Sequence, residues 1–120
     1  MDVDVRTLSP LALAFDGDGV YEMMVRERLV CQANRPPKDL HREAVKLVRA
    51  EAQSAAAEAL LPLLTEKEAA VFKRGRNAHT ARNSEDYHRA TGLETLFGYL
   101  YLNGEIARVQ QLFAAAVGDG

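Results

Sequence analysis

The chain has 120 residues and a mass of 13.2 kDa, a length that suits one domain, read as residues 1–120, built around one core. Hydrophobic residues at 48% and charged residues at 27% exclude a disordered tail, a collagen-like rod and a coiled-coil rod. The formal charge of -2 hides an asymmetry, because residues 73–89 hold five Lys or Arg against two acids, which leaves -5 on the remainder. Such a segment reads either as a short-range docking site for a polyanion, screened beyond about 8 to 10 Å, or as a solvated helix end and loop. Cys31 is the single cysteine, so no internal disulfide and no Cys-based zinc site can form, and a reducing compartment is expected. The first residues show no basic region followed by an apolar run, and no stretch reaches the roughly 18 apolar residues of a membrane span. A cytoplasmic protein with no membrane partner is expected.

Ala and Leu dominate and no segment alternates with a period of two between turn signals, so the pattern predicts an all-α fold of five to seven helices. Ser9-Pro10, a cap followed by Pro at the first helical position, opens a helix to about Gln32. Arg35-Pro36-Pro37 breaks the chain. A second helix begins near Asp39, and residues 50–64 read as an Ala-rich helix with Pro62 near its end. Thr65 and Glu68 form a capping-box pattern that opens a short helix to about Arg74, followed by a polar, basic loop over 75–83. Ser84 caps the next helix, Asn103-Gly104 ends it, and residues 105–117 close the fold.

Two acids stand in otherwise uncharged runs. Asp18 falls on a helical stripe with Leu11, Ala14, Phe15, Tyr21, Val25 and Leu29, which points it with the core face. Glu94 is the single charge between Ala90 and Asn103, with Phe97, Gly98 and Tyr101 on its side of the helix. An ionised carboxylate leaves water only with a neutralising partner, and neither run contains Lys or Arg. Gly17 and Gly19 flank Asp18, and Gly92 and Gly98 bracket Glu94; each costs about 1 kcal/mol against Ala in a helix and allows close approach of backbones. If the helices cross there, the two carboxylates meet, and oxygen-only ligation suits Mg²⁺ or Mn²⁺. The pattern leaves an alternative open, in which Asp18 bonds a helix end or Arg26 and Glu94 is a surface acid. Asp16 lies two residues from Asp18, points elsewhere on a helix and is not a ligand candidate.

Other chemistries find little footing. His41, His79 and His88 are dispersed, no serine sits in a Gly-x-Ser-x-Gly elbow, and there is no Gly-x-x-x-x-Gly-Lys loop.

The runs Leu11-Ala12-Leu13-Ala14-Phe15-Asp16-Gly17-Asp18-Gly19-Val20-Tyr21-Glu22 and Leu93-Glu94-Thr95-Leu96-Phe97-Gly98-Tyr99-Leu100-Tyr101-Leu102 resemble the two signature helices of the ribonuclease III catalytic domain. Asp39-Leu40-His41, the stretch from Val48-Arg49-Ala50 to Gln53, and Lys73-Arg74-Gly75-Arg76-Asn77-Ala78 resemble further marks of its Mini-ribonuclease III subgroup. The resemblance covers nearly the whole chain in the right order. It implies a homodimeric endoribonuclease with the helical ribonuclease III fold that cuts double-stranded RNA to 5'-phosphate and 3'-hydroxyl ends. By position it makes Asp18 and Glu94 the catalytic, metal-holding pair, with Mg²⁺ as cofactor and Mn²⁺ as a substitute. Larger relatives have acids where Leu11, Ala14 and Thr91 stand here, and Mini-type enzymes also lack them. Gly19 stands where Ala is usual in the family. The chain ends at Gly120, where the larger relatives continue into a double-stranded RNA-binding domain.

Duplex RNA hides its base edges, so recognition is expected through shape, phosphates and 2'-hydroxyls. Lys73, Arg74, Arg76, Asn77, His79 and Arg82 are the candidates for those contacts. The resemblance further implies precursor 23S ribosomal RNA as substrate, a ribosomal large-subunit protein as helper, and a dimer formed through apolar parts of the signature helices such as Tyr21, Val25 and Phe97. Two other expectations remain in view: a non-catalytic ribonuclease III-like module that binds structured RNA, against which the presence of both Asp18 and Glu94 argues, and a helical protein-interaction domain.

Overall fold

A computed structural model describes residues 3–78 and 84–118. Within them the chain forms six α-helices and no strand: α1 Pro10–Gln32, α2 Pro37–Val48, α3 Ala50–Leu60, α4 Glu66–Arg76, α5 Glu85–Leu102 and α6 Ile106–Val117, with 3₁₀ turns at Val5–Thr7 and Leu61–Leu63. The predicted all-α class is correct.

The helix starts follow from side-chain caps that satisfy otherwise unpaired backbone N–H groups. The Ser9 hydroxyl accepts from the Ala12 N–H at 3.1 Å, and the Ser84 hydroxyl accepts from the Tyr87 N–H at 3.1 Å. At α4 the box is reciprocal: Thr65 accepts from the Glu68 N–H at 3.1 Å, while the Thr65 N–H donates to Glu68 at 2.9 Å. Gly104, at φ 78°, takes the left-handed conformation that ends α5.

Helix α5 is the axis of the fold. From Ala90 to Leu100 every residue except Glu94 is buried, which is why this segment is apolar nearly all round. Helices α1, α3, α4 and α6 pack about it. Tyr21 of α1 sits between Phe97 of α5 and Phe113 of α6, with ring centroids 5.3 and 5.4 Å away. Thr95, fully buried, donates to the Thr91 carbonyl at 2.8 Å and lies 3.1 Å from the Pro10 carbonyl, which fixes the start of α1 against α5.

Three expectations need correction. The Ala-rich helix ends at Leu60, because Pro62 supplies no N–H and the chain tightens into a 3₁₀ turn. Helix α4 continues through Gly75 to Arg76; Gly75 is buried, and a Cβ there would run into Thr95 and Gly92 of α5, so this glycine serves helix packing and not a loop. Tyr21, Val25 and Phe97, expected at a dimer face, are 1%, 0% and 0% exposed within one protomer, because Tyr21 and Val25 lie on the buried face of α1 with Gly17 and Phe97 lies in the buried stretch of α5. His79 and Arg82 lie outside the described residues.

Candidate active site

The crossing of α1 and α5 is made by two glycines. A Cβ added to Gly17 would overlap the Glu94 carbonyl and stand 2.8 Å from the Gly98 nitrogen; one added to Gly98 would overlap the Leu13 carbonyl and stand 3.0 Å from the Gly17 nitrogen. The two backbones touch, so the residue after Gly17 and the residue bearing that carbonyl become neighbours. Asp18 and Glu94, 76 positions apart in the chain, form a hydrogen-bonded pair of carboxyl groups. Of the four glycines expected to permit this approach, only Gly17 and Gly98 do so. Gly19 faces open space, and Gly92 lies against Phe72 of α4, whose ring atom is 2.9 Å from a Cβ built there.

The electrostatics follow from the placement. Burial pushes the Glu94 carboxyl up to about 8, the hydrogen bond and charge of Asp18 raise it further in the same direction, and a hydrogen bond donated by Gln53 opposes both. The expectation that Asp18 points with the core face is corrected: Asp18 is exposed at the rim while Glu94 is half-buried beside it. The buried face of α1 runs through Leu13, Ala14, Gly17, Val20 and Tyr21, so Leu11 and Phe15 from the expected stripe are exposed as well. The alternative partner for Asp18 is otherwise engaged, since Arg26 pairs with Glu22 at 3.2 Å. Among the described residues no Lys or Arg pairs with either carboxyl.

This donor set fits a hard divalent cation. It is all oxygen, it lacks a neutralising cation among the described residues, and it retains a proton on Glu94 well above the usual carboxylate range, which a bound cation would displace. Among the described residues no three His, Cys, Asp or Glu side chains gather at one point, so a cation held there would find two protein carboxylates, with its other positions open to water and substrate. Asp16 does not join the pair.

The basic candidates divide. Lys73 and Arg74 are exposed on the last turn of α4; Arg76 is half-buried, and its Nε donates to Asn77 Oδ1 at 3.3 Å. Arg89, counted in the basic segment, is already neutralised: it donates to Ser54 and Glu85 at 2.7 Å and pairs with Asp86 at 3.4 Å and Glu58 at 3.6 Å. It ties α3 to α5 and adds no free charge. The fold gives a place to two residues that the sequence assigns no role. Gln53, in the stretch that resembles a mark of the subgroup, is buried near Glu94, and Phe15, expected on the core-facing stripe, is 86% exposed one turn before Asp18.

The ribonuclease III domain family matches residues 11–105, a span that contains both carboxylates and both crossing glycines. The chain belongs to the ribonuclease III family. Similar relatives are Mini-ribonuclease 3 proteins from Symbiobacterium thermophilum, 48% identical with 92% of this chain and 88% of the relative covered, and from Thermoanaerobacter sp., 42% identical with 94% and 83% covered. A crystal structure of a protein from Fusobacterium nucleatum superimposes with a TM-score of 0.84 at 27% identity, covering 95% of each chain. Ribonuclease III enzymes depend on divalent metal, act on double-stranded RNA and generally dimerise, and this member is an endoribonuclease of that class. No helix among the described residues is long and apolar enough to cross a membrane.

Proposed function

We propose that the Asp18 and Glu94 carboxylates together hold a catalytic Mg²⁺, with Mn²⁺ as a substitute, and that this pair is where the endoribonuclease cuts duplex RNA. The observation that carries the reading is the meeting of the two carboxyls at the Gly17 and Gly98 crossing, with no cation among the described residues to neutralise them. Bound there, such a cation lowers the pKa of a water and offsets charge on the scissile phosphate, consistent with 5'-phosphate and 3'-hydroxyl ends. Glu94 gives up its proton as the site is loaded, and exposed Asp18 remains reachable by a phosphate backbone. No protein nucleophile is needed, because the attacking group would be a water held by the cation.

Lys73, Arg74, Arg76 and Asn77, with His79 and Arg82 beyond the described residues, are the proposed RNA contacts. They read phosphates and 2'-hydroxyls and not base edges. Arg74→Ala should weaken binding across sequences and flatten its dependence on salt; an unchanged slope of affinity against log salt removes Arg74 from the set.

One chain supplies one carboxylate pair and a duplex has two strands, so the working form is a homodimer. Its face is assigned to Leu11 and Phe15, the exposed apolar residues on the turns before Asp18. The likeness to Mini-ribonuclease III supports maturation of precursor 23S ribosomal RNA in the cytoplasm, assisted by a large-subunit ribosomal protein, as the setting.

Incubating the purified protein with a duplex RNA in Mg²⁺ and in chelator tests the reading. Cutting in Mg²⁺ alone is expected. Binding without cutting would make the chain a non-catalytic RNA-binding module, and neither would make it a protein-interaction domain.

A further inference from the structure

Gln53 is 2% exposed, in the second turn of α3, on the side that packs against α5. Nε2 donates to the Val48 carbonyl at 3.0 Å, across the break where Arg49 is extended at ψ 158° between α2 and α3. That bond fixes the orientation of the amide, since turning it over would set Oε1 against the Val48 carbonyl. The amide lies near enough to Glu94 to favour its ionised form. Oε1 is left buried with no partner among the described residues. A buried acceptor in this position is an exception in folded proteins, and its need is met when a hydrated cation brings O–H donors to the site.

We propose that Gln53 is a positioning residue for the cation site: it holds the Glu94 carboxylate in place through its amide N–H, and its Oε1 accepts from a water carried by the cation. The inference rests on the reading of Asp18 and Glu94 as the pair that holds the cation. It also gives the α2–α3 junction a function, because the Val48 carbonyl anchors the amide that anchors Glu94. A glutamine is suited to this place where a lysine or an acid is not. It supplies both a donor and an acceptor without adding charge to a site that needs net negative charge to attract the ion.

The test uses Mn²⁺ binding by the full chain, read from the electron paramagnetic resonance signal of the free ion, alongside cleavage of duplex RNA against Mg²⁺ concentration. The variants are Gln53→Met, of similar volume with no hydrogen bonds, Gln53→Leu in case the first does not fold, and Glu94→Gln. Melting curves in chelator report folding separately. Gln53→Met should bind Mn²⁺ roughly 10- to 100-fold more weakly, need correspondingly more Mg²⁺ for half-maximal cleavage, and recover most of its rate at saturating Mg²⁺. A variant that is less stable in chelator but binds Mn²⁺ as the wild type does would show a structural role only and overturn the inference, while loss of binding in Glu94→Gln would leave the pair intact. Unchanged Mn²⁺ binding in Glu94→Gln, or none in the wild type, would instead overturn the pair and the inference with it.

Discussion

Gly17 lies against the backbone carbonyl of Glu94, and no side chain larger than hydrogen fits between them. This contact sets the distance between α1 and α5 and, with it, the meeting of Asp18 and Glu94. Gly17→Ala and Gly98→Ala should each destabilise by about 1–3 kcal/mol through overpacking. Because they part the carboxylates, cleavage should fall further than stability, by roughly 100-fold. Gly19 is the control. A Cβ there meets nothing within 4 Å, so Gly19→Ala should stabilise the mid-helix position by about 0.5–1 kcal/mol and leave cleavage unchanged. Urea denaturation and single-turnover cleavage of the three variants check both statements.

The Glu94 carboxyl also predicts how stability varies with pH. It is held at about 8 in the folded, cation-free protein against an ordinary value of 4.5, so between those values the folded state keeps a proton that the unfolded chain has lost. The contribution of neutral Glu94 is fully present below pH 4.5 and disappears as pH rises through about 8. In chelator the melting temperature of the wild type should therefore fall relative to Glu94→Gln across this window. With Mg²⁺ the fall should shrink, since loading the site removes the proton. Parallel wild-type and Glu94→Gln profiles in chelator would contradict the burial of this carboxyl.

Arg108 of α6 grips Glu68 with two bonds, Nε at 2.8 Å and Nη2 at 2.7 Å, and Nη2 donates to the Leu63 carbonyl at 2.9 Å. Glu68 is buried and also closes the capping box of α4, the helix whose last turn carries Lys73 and Arg74. Arg108→Met should cost about 2–3 kcal/mol, because it leaves a buried carboxylate without its partner. The Arg108 guanidinium holds the Glu68 carboxyl below its ordinary value, so this contribution is present above about pH 4.5 and fades as pH falls. The stability gap between wild type and variant, measured by thermal denaturation, should close in acid.

Phe15 and Tyr21 separate association from folding. Phe15 is 86% exposed and buries almost nothing within its protomer, whereas Tyr21 is enclosed by Phe97 and Phe113. Phe15→Asp should yield a folded monomer by sedimentation with a melting curve that no longer depends on protein concentration. Tyr21→Ala should lose about 3–5 kcal/mol as a core truncation. A Phe15→Asp protein that remains dimeric would remove this face from the assembly.

What could be read in the chain was local. The starts of α1, α4 and α5 are written in Ser9-Pro10, in Thr65 with Glu68, and in Ser84, since each cap acts within four residues of itself. The two acids stood out because their surroundings carry no counter-charge. Gly75 has the local signature of a loop residue, and its cost within α4 is offset by packing on Gly92 and Thr95, partners that no local pattern reveals. The exposure of Phe15 and the burial of Tyr21 depend on which face of α1 turns to α5. That choice is made by the Gly17 and Gly98 contact and not by the periodicity of α1, whose apolar residues run round much of the helix. Gln53 gained meaning only once Glu94 was beside it.

The most direct test of the account is cleavage of a duplex RNA in Mg²⁺ by Asp18→Asn and Glu94→Gln, with RNA affinity and oligomeric state measured on the same preparations. Loss of cutting in both variants, with binding and assembly retained, is the predicted result; wild-type cutting by either variant would contradict it.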